Sequence, residues 1–333
     1  MTTYKGINGF AVQSVASDPS PLDEGQVWYN NATYAFKLAT LTTAGTWATG
    51  GSLNTARKSI GGAGTQTAAL GFGGNPGSSP YTTNATELYN GTSWTTSPGT
   101  LNTSRGVPVS GGTQTSAIAA TDDGNGVATE TWNGTSWTSG PNLGSAIYYR
   151  SGTGTVNSAF AAGGSPTGTI NVATTETWNG SSWTAGGSLV NPTAFAASVG
   201  TAADGLLIAG GQASPSVFNN YTQKYNGSTW TSLANVNTAR KGAGASSPSP
   251  TSSAVIFGGN TPSFTSATEN WNGTSWTSNP NGLSTARQAL GGVGTQSAGL
   301  GFGGYTGAPP DSVASTEEFT GPGSPVTQTI TTS

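Results

Sequence analysis

The sequence predicts an all-β fold assembled from six near-copies of one unit, closed into a ring. Three observations carry that expectation. First, Trp47, Trp94, Trp137, Trp183, Trp230 and Trp276 stand at intervals of 47, 43, 46, 47 and 46 residues, and a period in the forties belongs to solenoids or propellers. Second, one phrase recurs around these tryptophans: "TELYNGTSWTTS" from Thr86, "TETWNGTSWTSG" from Thr129, "TETWNGSSWTAG" from Thr175, "TQKYNGSTWTSL" from Thr222 and "TENWNGTSWTSN" from Thr268. Third, no helical periodicity of useful length interrupts the strand-like runs, so a propeller of four-stranded blades is expected rather than a helical solenoid.

Taken in chain order, residues 1–46 precede the first repeat and carry a short strand or hairpin extension, "GQVWYNNATYAFKLATLTTAGTW". Residues 47–321 hold the six repeats, and residues 322–333 form a C-terminal tail. In the last copy, strands are expected near 286–291, 297–302 and 315–319, separated by connections rich in Gly and Pro. The recurring phrase reads as a hairpin, because both residues of Asn-Gly tolerate the positive φ of a type I′ turn. A two-residue loop places Glu130 opposite Trp137, and a four-residue loop places Trp132 opposite Trp137. In either register Glu130, Trp132 and Trp137 share one face. Two aromatics per hairpin, each burying on the order of 150–250 Å², would glue neighbouring sheets together. The Asn-Gly-Ser/Thr triplet also matches a glycosylation acceptor, but the turn accounts for Asn and Gly together.

Counting the copies decides how the chain closes. Six strands of the "LGFGG" type end near residues 74, 120, 164, 211, 259 and 304, and six of the "TExYNG" type follow them. The last of these, "TEEFTGPG", has no Trp strand after it, whereas "AGTWATG" around Trp47 has no "TExYNG" before it. The Trp47 strand is therefore expected to complete the last blade, joining the two ends of the repeat region and removing an exposed edge.

Composition narrows the function classes. Apolar residues are 33% of the chain, and counting glycine brings them to about 46%, within the globular range. Charged residues are only 7% and the net charge is −3, against about 25% charged in an average protein. Without a Lys/Arg cluster, binding along a nucleic-acid backbone is not expected. So few ions leave little Coulomb energy for salt to screen. There is no Cys and no His, which removes disulfides, the usual general base, the thiol nucleophile and the soft metal ligands. No enzyme, cofactor or metal site is expected. The start "MTTYKGINGFAVQSVASDPSP" shows no secretory signal, and no apolar run reaches membrane-spanning length.

The ionisable residues that do occur recur. Glu87, Glu130, Glu176, Glu269 and Glu317 occupy one repeat position, with Gln223 as the exception. Arg57, Arg105, Arg240 and Arg287 occupy another, replaced by Ile147 and Thr193 in the third and fourth copies. Their repetition favours a buried or half-buried pair that sets blade register over a ligand contact. Ligand contacts are sought instead where the copies diverge, at "TDDGNG" (121–126), "AIYYRSG" (146–152) and "SSPSPTSS" (246–253). Asp122 and Asp123 offer oxygen ligands without the spacing of an EF-hand loop. Tyr148, Tyr149 and Arg150 offer an aromatic patch for a sugar or a protein, although core filling by at least one Tyr is equally open.

The repeat resembles the kelch repeat. The resemblance rests on the paired glycines after a hydrophobic strand (Gly73-Gly74, Gly163-Gly164, Gly210-Gly211, Gly258-Gly259, Gly303-Gly304), the acidic residue of the next strand, the aromatic at its end and the Trp about six residues later. The second copy departs from it, with "AATDDGNG" where the paired glycines belong. The copper chemistry of kelch-type galactose oxidase needs His and Cys, so none carries over. The N-terminal "G-x-x-W-Y-N … K-hydrophobic" hairpin, the opening "TYKGINGFAVQS" and the closing "SPVTQTITTS" resemble virion proteins of marine bacteriophages, of tail-fibre or capsid-decoration type. That resemblance implies a viral structural protein made in the host cytoplasm and displayed on the particle surface. Residues 1–46 would bind other virion proteins within an oligomeric assembly, and the propeller would serve as a host-attachment or carbohydrate-recognition head. The alternatives are a passive capsid-decoration or scaffold subunit without a specific ligand, and a cellular kelch-type protein-interaction module.

Overall fold

A computed structural model describes residues 12–21, 23, 25–41, 44–79, 81–106, 109–121, 126–212, 215–307, 311–323 and 325–330. The chain divides into two compact units, Met1–Gly45 with Gly321–Ser333, and Thr46–Thr320. Among the described residues every regular element is a strand, and no helix is long and apolar enough to cross a membrane, which says nothing of β-barrels.

In the smaller unit the N-terminal segment and the C-terminal tail share one sheet. Gln13–Val15 runs parallel to Val27–Asn30, which pairs antiparallel with Ala35–Leu41, which pairs antiparallel with Pro325–Thr329. Trp28 is fully buried and its indole N–H donates to Asp18 Oδ1 at 3.0 Å, while Asn30 Nδ2 donates to the same oxygen at 2.8 Å. Those two donors hold the Asp18 carboxyl below its ordinary pKa.

The larger unit is built from four-stranded antiparallel sheets. The first comprises Gly61–Gly64, Ala69–Phe72, Thr86–Tyr89 and Trp94–Thr96. Four more follow in the same pattern, the second ending at Trp137–Gly140, the third at Trp183–Ala185, the fourth at Trp230–Ser232 and the fifth at Trp276–Asn279. The sixth takes Gly291–Gly294, Ala298–Phe302 and Thr316–Thr320, and its outer strand is Thr46–Gly50. Trp47 there lies opposite Phe319. The first strand of this sheet begins at Gly291 rather than covering 286–291, because the left-handed Ala289, at a φ of 52°, breaks the extended run just before it.

The hairpin takes the longer of its two registers. Trp132 pairs with Trp137 across a four-residue loop, as do Trp178 with Trp183, Trp271 with Trp276 and Tyr89 with Trp94. Asn133 works through its side chain: Oδ1 accepts from the N–H groups of Thr135 and Ser136, at 3.0 and 2.9 Å. Only Gly134 takes positive φ, 98°. The expected type I′ turn is thus replaced by an Asx turn with a left-handed glycine inside it.

Each of the six repeat tryptophans reaches the preceding sheet. Its indole N–H donates to the Thr that begins that sheet's "TExW" strand: Trp94 to Thr316, Trp137 to Thr86, Trp183 to Thr129, Trp230 to Thr175, Trp276 to Thr222 and Trp47 to Thr268, at 2.8–3.0 Å. The rings of Trp47, Trp94, Trp137 and Trp230 pack against aromatics of both sheets, Trp47 lying 4.8 Å from Phe257 and 5.0 Å from Phe319. A buried indole needs a partner for its N–H, and the repeated Thr supplies it.

Candidate functional site

The connector that enters each sheet explains the "LNTAR" phrase and frames the site. Leu53 is buried and its N–H donates to Ala314 O of the sixth sheet. The next N–H, on Asn54, donates to Glu87 Oε2 of the first sheet at 2.7 Å. The Arg57 guanidinium then turns into the first sheet, 2.6 Å from Glu87 Oε1 and donating to the carbonyls of Gly73 and Ala85. A connector is thereby fastened to the two sheets it joins. Arg105–Glu130, Arg240–Glu269 and Arg287–Glu317 repeat the arrangement at 3.0, 2.5 and 3.1 Å, with every partner buried. Burial lowers the pKa of Arg57, Arg240 and Arg287, and the carboxylate opposes it; a guanidinium nevertheless stays charged in proteins.

Arg150, singled out with the two tyrosines, is held in an ion pair of the repeated kind. Its guanidinium is buried 2.6 Å from Glu176 and donates to Ala161 O. The third copy therefore has its ion pair after all, supplied from three residues further on. Arg57 precedes Ile60 in the first copy, whereas Ile147 precedes Arg150 in the third, and all four side chains are buried. A left-handed residue intervenes in both copies, Ser59 at 52° and Tyr149 at 57°. The apolar and cationic side chains have exchanged places across it. The fourth copy discards both charges together. Gln223 Oε1 accepts from Asn191 N–H at 2.8 Å, its Nε2 donates to Asn191 O, and Thr193 stands where Arg would be. Removing one charge alone would strand the other in the interior.

The paired glycines have a linked reason. In four copies the second glycine's N–H donates to the carbonyl at the next sheet's Arg position, Gly74 to Arg105, Gly164 to Thr193, Gly259 to Arg287 and Gly304 to Arg57. In the fourth sheet the first glycine, Gly210, makes this bond to Arg240, with left-handed Ala209 before it. At Gly303 (φ 65°) an added Cβ would lie 2.4 Å from Arg57 O, so no larger residue fits.

Inside these connectors lies a cavity of about 520 Å³. The left-handed residues form a hydrogen-bonded belt in its wall. Ser59 N–H donates to Ala289 O, Ala289 to Gly242 O, Gly242 to Phe195 O, and Phe195 to Tyr149 O, at 2.7–3.2 Å. Tyr149 and Phe195 hold φ near 55°, a conformation that bulky residues rarely adopt. Their rings stack at 4.1 Å and 25°. Beside them Lys58 Nζ sits 4.2 Å over the Tyr305 ring. Lys241 Nζ donates to Gln212 O and Ser216 Oγ and lies 5.7 Å from Phe195 and 5.1 Å from Phe218. Desolvation lowers the pKa of Lys241. Ser59, Ser110, Ser151, Ser198 and Ser247 contribute to the lining, and among the described residues no Asp or Glu does.

Of the residues singled out from the sequence, Tyr149 and Arg150 line this cavity, Arg150 while ion-paired with Glu176, whereas Tyr148 does not and pairs through its backbone with Ser165. The 246–253 divergence folds inward: Ser249 Oγ donates to Gly294 O, and the Ser247 hydroxyl bonds that of Thr153. Asp122 and Asp123 lie outside the described residues. Among the described residues no three acidic, His or Cys side chains converge to hold a metal. Sequence reasoning missed Lys58, Lys241, Phe195 and Tyr305. The available signal was positional, since the two lysines follow the repeated Arg as "ARK" in the first and fifth copies only.

No family model and no curated protein matches the sequence. Among solved structures, that of YjhT resembles it with a TM-score of 0.61 and 15% identity, over 80% of this chain and 96% of that one. At that identity the likeness is one of fold alone, and the fold is β-propeller-like.

Proposed function

We propose that Thr46–Thr320 is a six-bladed, kelch-like propeller closed by the Trp47 strand, and that it is the recognition head of a non-enzymatic bacteriophage virion protein. Closure is supported by the antiparallel pairing of Thr46–Gly50 on Thr316–Thr320 and by the Trp–Thr bonds, which pass from each sheet to the one before it and return from the first to the sixth. The virion assignment rests on the N- and C-terminal sequence resemblance. The smaller unit, with its shared sheet, is the segment that binds other virion proteins.

The observation that carries recognition is the cavity lining. It combines stacked aromatics, two lysines and several hydroxyls on a hydrogen-bonded belt, the mixture that orients a polar ligand with an apolar face. A host-surface glycan fits that description. Among the described residues the lining contains no carboxylate of the kind a paired-carboxylate hydrolytic mechanism uses. The test is binding of labelled protein to marine bacterial cells and to a glycan array, with Tyr149→Ala as control. Binding that this variant loses, with its thermal melt retained, is the expected result. Null binding across a broad panel would leave a passive decoration subunit in its place. Antibody labelling of intact particles in micrographs tests the virion assignment independently.

A further inference from the structure

The cavity mouth is two-sided, and its two arcs differ in chemistry. The belt runs in order through Ser59, Ala289, Gly242, Phe195 and Tyr149. The residues immediately before the first three are Lys58, Gln288 and Lys241, and all three line the cavity. Two lysines flanking a glutamine therefore line the same space as the stacked pair Tyr149 and Phe195. Among the described residues neither lysine is ion-paired with a carboxylate. Lys241 uses two donors on Gln212 and Ser216, and an ammonium has three. Lys58 rests on the Tyr305 ring, a contact that leaves its N–H groups for a ligand. In a chain with only 10 Lys and Arg residues, of which five are buried arginines in ion pairs, two lysines lining one cavity are a concentration of positive charge.

We infer that this mouth binds a saccharide bearing an anionic group, a carboxylate or a sulfate ester. The anion lies on the Lys58–Gln288–Lys241 arc and the sugar ring lies against Tyr149 and Phe195. The inference rests on the recognition reading above and narrows its ligand class. Charge-assisted hydrogen bonds from two ammonium groups supply the selection against neutral sugars, and the partly desolvated setting strengthens them.

The test uses the full chain and three probes: an oligogalacturonate, a sulfated galactan oligosaccharide and a neutral galactan oligosaccharide, measured by calorimetry. At least one acidic probe binds, and the neutral one binds about tenfold or more weaker. Affinity for the acidic probe falls as NaCl rises from about 0.05 to about 0.5 M. Lys58→Gln and Lys241→Gln each lose about tenfold, while Lys58→Arg retains binding. The salt titration on the unmodified protein stands even if a variant fails to fold. Preference for one acidic probe over the other identifies carboxylate or sulfate as the source. Neutral and acidic probes binding alike and independently of salt would overturn the anionic inference and leave recognition standing. Absence of binding to every probe and to host cells would remove both.

Discussion

Replacing Arg240 by Ala is the perturbation that most directly tests the buried ion pairs. The side chain is fully buried, 2.5 Å from Glu269 Oε1, and it donates to the carbonyls of Gly258, Ala267 and Thr238. Truncation leaves those carbonyls short of a donor and leaves the Glu269 carboxylate in the interior. That carboxylate keeps the N–H groups of Asn237 and Thr238, at 2.7 and 3.2 Å, which places the cost at the lower end of the range for breaking a buried pair, about 3 kcal/mol. For a unit of this size that corresponds to a fall in Tm of roughly 5 °C. Urea unfolding followed by tryptophan fluorescence reads it. The fourth sheet supplies the control: Arg240→Thr with Glu269→Gln copies its neutral solution and removes both charges. The double variant is expected to cost less than the sum of its single changes by at least about 1 kcal/mol. A single substitution costing under about 1 kcal/mol, or strictly additive effects, would refute the view that these pairs are desolvated and mutually dependent. Ligand binding by folded Arg240→Ala protein should be unchanged; lost binding with unaltered stability would reverse the structural assignment.

Trp137→Phe keeps most of the ring but removes the donor to Thr86, and is expected to cost about 1 kcal/mol in the same unfolding assay. Trp47→Ala opens a cavity between Phe257 and Phe319 and should lower the stability of the whole larger unit by about 3 kcal/mol or more in one transition; loosening confined to Thr46–Gly50 in hydrogen exchange would count against ring closure. The Tyr89 phenol, desolvated and donating to Glu318 Oε1 at 2.5 Å, has its pKa pushed up to about 12. Its folded form therefore binds a proton more tightly than the unfolded chain does. The resulting stabilisation is complete below pH 10, the unfolded value, and is lost as pH rises towards 12; Tyr89→Phe should flatten that alkaline loss, and an unchanged profile would remove Tyr89 as its source. Asp18, with its pKa held down by Asn30 and Trp28, acts in the opposite sense. Its contribution to the smaller unit is present above its ordinary value of 3.8 and lost on further acidification, a loss that Asp18→Asn should remove from an acid titration followed by Trp28 fluorescence.

The repeat itself made the sheets legible. Trp spacing, alternation and the Asn-Gly turn are local signals, and each copy restates them, so strand order and the pairing partner of Trp47 followed from counting. Hairpin register did not follow, because two loop lengths keep the same residues on one face; the Asx bonds from Asn133 settle it in space. That Arg150 supplies the third copy's ion pair was missed for a similar reason. Alignment along the chain compares equal offsets, whereas the interior requires only that one cation reach Glu176, and a left-handed residue lets the position three further on meet that need.

What the sequence determined by itself was therefore the repeating unit, its all-β character and the absence of cysteine and histidine chemistry, since these depend on composition and short-range periodicity. Only the tertiary structure decided where the solitary charges go. Five arginines are drawn into the interior by repeated glutamates, while Lys58 and Lys241, one residue beyond two of those arginines, line a cavity with Tyr149 and Phe195. That difference arises because successive residues along a connector point opposite ways, and which way faces a sheet or an opening is settled only when the sheets assemble.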